Sequence, residues 1–372
     1  MIANYKNERG FEYFVTVEAD RNLPFVESVD SLMEKYLATL KNNEIPEDSA
    51  IFIRFHLSDA VTQGGQLEEK LKKRFPGTLV SYVQQPPASG SKIAAEVYLA
   101  GCRQGCFDKH ANGNTLVVTH GNYKSLWETM APSGGTSPYD QTLSIFEAMS
   151  DTVTRHGGTV KDNVIRTWVF VQDIDNNYRD MVDARRDWFQ RAGMTKDTHY
   201  IASTGIEGSR ERPSDRVIVD YLTVMGILPR QVEFMNAIDH LCPTYEYNVT
   251  FERGTRISYG DRIHYYISGT ASIDSKGKVM HEGDVIKQAG RTIENISTLL
   301  KNHGASLEDM KLVMAYIRDG SDHAMVHQYL QDNLPESTAF MIVTGAICRP
   351  SWLIEMDGIA VTDNNEKFSP YC

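Results

Sequence analysis

The sequence predicts an α+β protein made of three tandem β-α-β-α-β-β units. Two observations carry this reading. First, three stretches share a run of apolar and aromatic residues that stops at an aspartate. They are "AIFIRFHLSD" (50–59), "NVIRTWVFVQD" (163–173) and "MKLVMAYIRD" (310–319), ending at Asp59, Asp173 and Asp319. Second, each run is preceded by a helical pattern and followed by another helix and two strands. An internal repeat has to be found first, because missing it misassigns the whole fold.

The first helix of each unit reads from apolar spacing. "SVDSLMEKYLATLKNN" puts Leu32, Tyr36 and Leu40 on one face, and "DVIKQAGRTIENISTLLKNHG" does the same with Ile286, Ala289, Ile293, Ile296 and Leu300. "DQTLSIFEAMSDTVTRHGG" is their counterpart in the second unit, and Gly157 and Gly304 follow the last periodic residues as stop signals. The second helices read as "QLEEKLKKRF" (66–75), "NNYRDMVDARRDWFQRAG" (176–193) and "SDHAMVHQYLQDNL" (321–334), the last with Ser321 as N-cap. Two strands then close each unit, and the closing strand carries an acid, aligned here as Glu96, Asp220 and Glu355. Hairpin strands precede the third unit in "RISYGDRIHYYISGTASID".

A chain of 372 residues exceeds one ordinary domain. The expected units are 1–105, 110–228 and 240–372. Helices cover one face of each sheet, so a lone unit leaves the other face bare. Three units can bury those faces around a common axis, as a pseudo-trimeric barrel with clefts between neighbours. Further association of chains stays open.

Composition narrows the partners. With 38 Lys and Arg against 49 Asp and Glu, the net charge is −11. A diffuse acidic surface argues against nucleic acid and leaves room for a small anionic metabolite held by a few arginines. The opening "MIANYKNERGFEYF" has no secretory pattern, and no apolar run approaches a membrane span, so a soluble, cytoplasmic protein without membrane partners is expected. Five cysteines are too few and too odd for a disulfide framework. "CRQGCFDKH" offers Cys102, Cys106 and His110 at zinc-like spacing without a fourth ligand, so no metal is expected. Without a phosphate-binding glycine loop or nucleophile elbow, no cofactor is expected either.

The third unit resembles the Rid (YjgF) family, in "YYISGTASIDSKGKVMHEGDVIKQAGRTIENISTLLKNHGASLEDMKLVMAYIRD" and "IEMDGIAV". That resemblance implies α+β units around a trimeric barrel, with ligand clefts between them. "SGTASI", "GAICRPSWLIEMDG", "VIRTWVFVQDID", "YRDMVDARRDWF" and "STGI" resemble the long, chorismate-hydrolysing members, the chorismatases. Deaminating Rid proteins carry an arginine before the threonine of the fourth strand. Here Ser337 precedes Thr338, which speaks against imine deamination.

The chemistry this implies is protonation of an enol ether. It needs a carboxylic acid held neutral near pH 7, and burial supplies such a shift. By resemblance Glu355 is that acid, with Cys348 beside it. The substrate's carboxylates need planar donors, which arginine provides. Of Arg166, Arg179, Arg185, Arg186 and Arg349, strand or motif position favours Arg166, Arg185 and Arg349. Tyr178, Gly205 and the backbone from Ser268 through Gly269 and Thr270 to Ala271 complete the expected binding set, since glycine permits close approach. Plainer readings stand beside these. Glu355 matches Glu96 and Asp220 and so is partly architectural. Cys348 is a small filler of the pocket wall. The arginines serve unit interfaces, and Tyr178 and Arg185 lie on a charged, solvated helix. A Rid-type deaminase and a non-catalytic carboxylate-binding member are the alternative functions.

Overall fold

A computed structural model describes residues 1–71, 74–103, 105–247 and 249–372. The first unit runs β1 (Ile2–Lys6), β2 (Gly10–Glu18), α1 (Phe25–Asn42), β3 (Ala50–Leu57), α2 (Ala60–Leu71), β4 (Leu79–Gln84) and β5 (Ile93–Cys102). The second runs β6 (Phe107–Asn112), β7 (Thr115–His120), β8 (Tyr123–Met130), α3 (Pro138–Arg155), α4 (Val160–Asn163), β9 (Val164–Val171), α5 (Ile174–Arg191), β10 (Ala202–Glu207) and β11 (Val217–Met225). The third runs β12 (Val232–Met235), β13 (Gly254–Ser258), β14 (Arg262–Ala271), α6 (Val285–Asn302), β15 (Met310–Ile317), α7 (His323–Asn333), β16 (Ala339–Thr344) and β17 (Ile354–Asp363). β12 falls in the stretch read as a connection and pairs with β13.

Each unit forms its own mixed sheet, and one order recurs: β2-β5-β3-β4, β8-β11-β9-β10 and β14-β17-β15-β16. The α+β reading and its threefold repeat therefore hold. Helix placement follows the apolar spacing, and α1 buries Leu32, Tyr36 and Leu40 against Val15, Ile53 and Val97. Gly157 and Gly304 follow α3 and α6 with φ of 88° and 84°, a conformation that favours glycine. Ser321 does not cap α7. It lies in a short 3₁₀ turn whose amide is accepted by Asp319.

The opposite sheet faces meet at the centre. Phe52 of the first unit stacks on Trp127 of the second, which stacks on Trp168. Thr16 donates to the Phe340 carbonyl, Gln84 N to the Ser209 carbonyl and Glu207 N to the Ala346 carbonyl. So each unit touches both others. The three ladders stay separate, joined by isolated bridges such as Pro87–Val343 and Ile206–Ile347. The ring thus closes by packing, not as one hydrogen-bonded barrel.

Pairing register corrects the alignment of the closing acids. Glu96 faces Arg54 of β3, Asp220 faces Trp168 of β9, and Asp357 faces Met314 of β15. Those three β-strand positions are equivalent, so Asp357 is the third member of the acid set. Glu355 sits two residues earlier and matches Ala94 and Ile218, and so has no acidic counterpart. The repeated acids are held by buried arginines. Arg54 bonds both Glu96 and Asp220, and Arg166 bonds Asp357 at 3.0 Å.

The cysteines also depart from expectation. Cys102 and Cys372 form a disulfide across 270 residues. A partner so distant in sequence leaves no spacing signal. With Cys102 so bonded, the Cys102–Cys106–His110 spacing has no three-ligand set.

Candidate active site between the second and third units

A cavity of about 230 Å³ opens between the second and third units. From the second come Tyr178 and Arg185 on α5 and Ser203 and Gly205 on β10. The third supplies Gly269 and Ala271 on β14, Glu355 on β17, and Cys348, Arg349 and Trp352 from the loop before it. The connection between β12 and β13 crosses over and adds Val249, Phe251 and Arg253. It is fastened there by Glu252, whose carboxylate accepts the Tyr200 amide at 2.7 Å and whose amide donates to the Ile201 carbonyl.

Strand alternation decides which expected residues line the cavity. Successive β residues face opposite sides. Gly269 and Ala271 therefore face it, and Ser268 and Thr270 do not. Ser268 Oγ instead donates to the Glu252 carbonyl and accepts from Ser203 N, while Thr270 Oγ1 donates to the Ser268 carbonyl. Of the 268–271 stretch, Gly269 and Ala271 line the cavity, and the Ser268 and Thr270 side chains turn away from it. A Cβ at Gly269 would stand 2.1 Å from Glu355 Oε1, so a side chain there would force the Glu355 carboxyl to move.

Arg166 is placed elsewhere. It lies outside the cavity lining, buried over the Trp168 ring and bonded to Thr204 and Asp357. An arginine facing the sheet centre meets the neighbouring unit's acid before any ligand. Arg179 and Arg186 pair with Asp183 on the outer side of α5. Arg185 turns inward on the same helix. Its Nε donates to Thr250 Oγ1 at 3.2 Å and its Nη1 to Ser203 Oγ at 3.3 Å. Its Nη2 is buried with no hydrogen-bond partner among the described residues. Arg349 lies over Trp352 and donates to the Gly277 carbonyl. Arg253, which sequence reading missed along with Ser203, Val249, Phe251, Ile273 and Trp352, donates to the Cys242 carbonyl. Three guanidinium groups thus border one cavity.

Glu355 is the acid among them, and it is 5% exposed. Burial pushes its carboxyl up to about 8, the Asp357 charge adds to the rise, and Arg253 and Arg166 oppose it. It makes no side-chain hydrogen bond to any described residue. A carboxyl so placed keeps its proton at pH 7. The Cys348 thiol is pushed up to about 12 by burial and then by the Glu355 charge, so it stays a thiol and is no nucleophile at neutral pH. Burial likewise keeps Tyr178 a phenol, and the Cys348 sulfur beside it adds to that shift. Among the described residues, no group of three or more His, Cys, Asp or Glu is placed to hold a metal ion, and no helix is long and apolar enough to cross a membrane.

Three α+β units packed about one centre, with an arginine-lined cleft between two of them, define a tandem protein of the Rid type. Residues 257–362 match the family described as Endoribonuclease L-PSP. The chain is 31% identical over 96 residues to the 3-aminoacrylate deaminase RutC of Acinetobacter baylyi, covering 26% of this chain and 76% of that protein. It is 26% identical over 291 residues to the 3-hydroxybenzoate synthase of Streptomyces hygroscopicus, covering 68% and 78%. The solved structure of a chorismatase shares the fold over 95% of this chain and 100% of that one, with a TM-score of 0.67 at 17% identity. The chain belongs to the endoribonuclease L-PSP (YjgF/Rid) superfamily.

Proposed function

We propose that the protein is a chorismatase-type hydrolase that acts on chorismate or a similar enolpyruvyl cyclohexadiene carboxylate. One observation carries the reading: a buried carboxyl, Glu355, whose surroundings favour its protonated form, faces a cavity bordered by Arg185, Arg253 and Arg349. An anion with an acid-labile enol ether fits both halves of that description.

In this mechanism the arginines take the substrate carboxylates, and Arg185 offers an inward N–H. Glu355 gives its proton to the enolpyruvyl methylene carbon. The electron pair of the C=C bond forms the new C–H bond, leaving an oxocarbenium ion. Water, or a hydroxyl of the same substrate, adds to that carbon, and its proton returns to Glu355. After water attack, the hemiketal breaks the bond between its ketal carbon and the ring oxygen as its hydroxyl proton passes to that oxygen, and pyruvate is released. The ring product is a dihydroxylated cyclohexadiene carboxylate after water attack. The Cys348 thiol and Tyr178 shape the wall around the ring. The 3-hydroxybenzoate synthase relative supports action on this class of substrate with a hydroxybenzoate as the alternative ring product, and the fold shared with a chorismatase supports the same substrate class.

The test is incubation with chorismate and identification of the products by mass. Pyruvate with a seven-carbon ring acid supports the reading. Unchanged chorismate alongside faster ammonia release from 2-aminoacrylate would replace it with deamination.

A further inference from the structure

We propose that Asp357 is a positioning residue that keeps the proton on Glu355 by neutralising Arg166. The inference deepens the reading of Glu355 as general acid and rests on it. Glu355 and Asp357 are two residues apart on β17 and so share a face. Both are buried, yet their surroundings differ. Three donors converge on Asp357 Oδ2: Arg166 Nη2 at 3.0 Å, Thr204 Oγ1, and Tyr316 OH at 3.2 Å. Glu355 has no such donors. Of two neighbouring carboxyls in one low-dielectric site, the one with the donors takes the charge and the other the proton.

Arg166 gives this arrangement its purpose. It is fixed between the Trp168 ring, Thr204 and Asp357, so it cannot swing out to solvent. Left alone, a buried guanidinium at that depth would draw the nearby Glu355 into its ionised form. Asp357 cancels it. The remaining groups that face Glu355 are Arg253 from the crossing connection, Tyr178 and Arg185 from α5, and Cys348 and Arg349 from the preceding loop. Burial raises the Asp357 carboxyl as well, and Arg166 and Thr204, which Glu355 lacks as donors, pull against that rise. The same set explains why only one of three units carries an acid of this kind. The repeated acid neutralises an arginine in each case, and only the third unit adds a second carboxyl to the same strand face.

The experiment compares pH profiles of kcat/KM with chorismate for the wild type, Asp357→Asn, and the double variant Asp357→Asn/Arg166→Met. The alkaline limb of Asp357→Asn should fall by a pH unit or more, with activity recovering at acidic pH. The double variant, which removes both buried charges, should restore the limb. A uniform loss of rate with the limb in place, and no rescue, would overturn the proposal. A second readout needs no turnover. Infrared titration of wild type minus Glu355→Gln, and of Asp357→Asn minus Asp357→Asn/Glu355→Gln, reports the Glu355 carboxyl directly in each background. A neutral-acid band at pH 7 in the first that becomes a carboxylate band in the second supports the proposal even if chorismate proves not to be the substrate. A neutral-acid band in both, or a carboxylate band assigned to Glu355 at pH 7 in the first, would overturn it.

Discussion

Glu355 combines a high proton affinity with an unshared place in the repeat. Its carboxyl, pushed up to about 8, leads to two pH effects of defined sign. As a general acid it must be protonated, so kcat should fall as pH rises through about 8. The folded state also binds this proton more tightly than the unfolded chain, which releases it near the ordinary carboxyl value. Stability contributed here is therefore present at low pH and is lost as pH rises from the ordinary value toward about 8. Chemical denaturation across that range should show the slope, and Glu355→Gln should remove it. Arg185 gives a second expectation. A buried guanidinium with no carboxylate partner among the described residues is a liability in the empty protein and an anchor for a bound carboxylate. Arg185→Met should lower kcat/KM roughly 10- to 100-fold, the worth of about 1.5–3 kcal/mol for a charged hydrogen bond, while the melting temperature holds or rises. Sequence found both residues but aligned the wrong acid with the repeat. In a Glu-x-Asp strand both acids face one side, so alternation cannot choose between them. Only the pairing register separates Glu355 from Asp357.

Elements set what those residues can reach. β14 pairs with β17 through a register shift between Ile267 and Thr270, which brings Gly269 against the Glu355 carboxyl. Gly269→Ala would place a methyl on that oxygen. The expected result is a folded protein, with near-native circular dichroism, and a loss of turnover of at least tenfold. Equal activity would mean that Glu355 has room to move aside. The element order was legible because apolar spacing and strand-ending aspartates recur three times. The binding face of β14 was half legible: the "SGTA" stretch was found, but not which residues of it face inward. The crossing connection with Phe251 and Arg253 was not legible at all. Its position depends on Glu252 meeting Tyr200 and Ile201, a long-range contact that local pattern does not encode.

At the scale of the molecule, three related clefts have become unlike. Ala94 and Ile218 stand where the third unit has Glu355, so neither equivalent strand position supplies the acid. Between the first and second units, Arg210 fills the space and donates to the Tyr82 carbonyl and Ser81 Oγ. The segment after β17 returns to the first and second units, where Tyr371 is buried against Tyr98 of the first and His120 of the second, and Cys372 bonds Cys102. Cys372→Ser should lower the free energy of unfolding by about 2–5 kcal/mol, since long closed loops gain most from a cross-link. Denaturation with and without reductant checks this, and wild type in reductant should match the variant. The central claim is that Glu355 is the proton donor of an enolpyruvyl hydrolysis. Pyruvate release from chorismate at pH 7, measured side by side for wild type and Glu355→Gln of equal stability, tests it most directly. Steady release by the wild type and none by the variant is the predicted result. Release by the variant at the wild-type rate would contradict it.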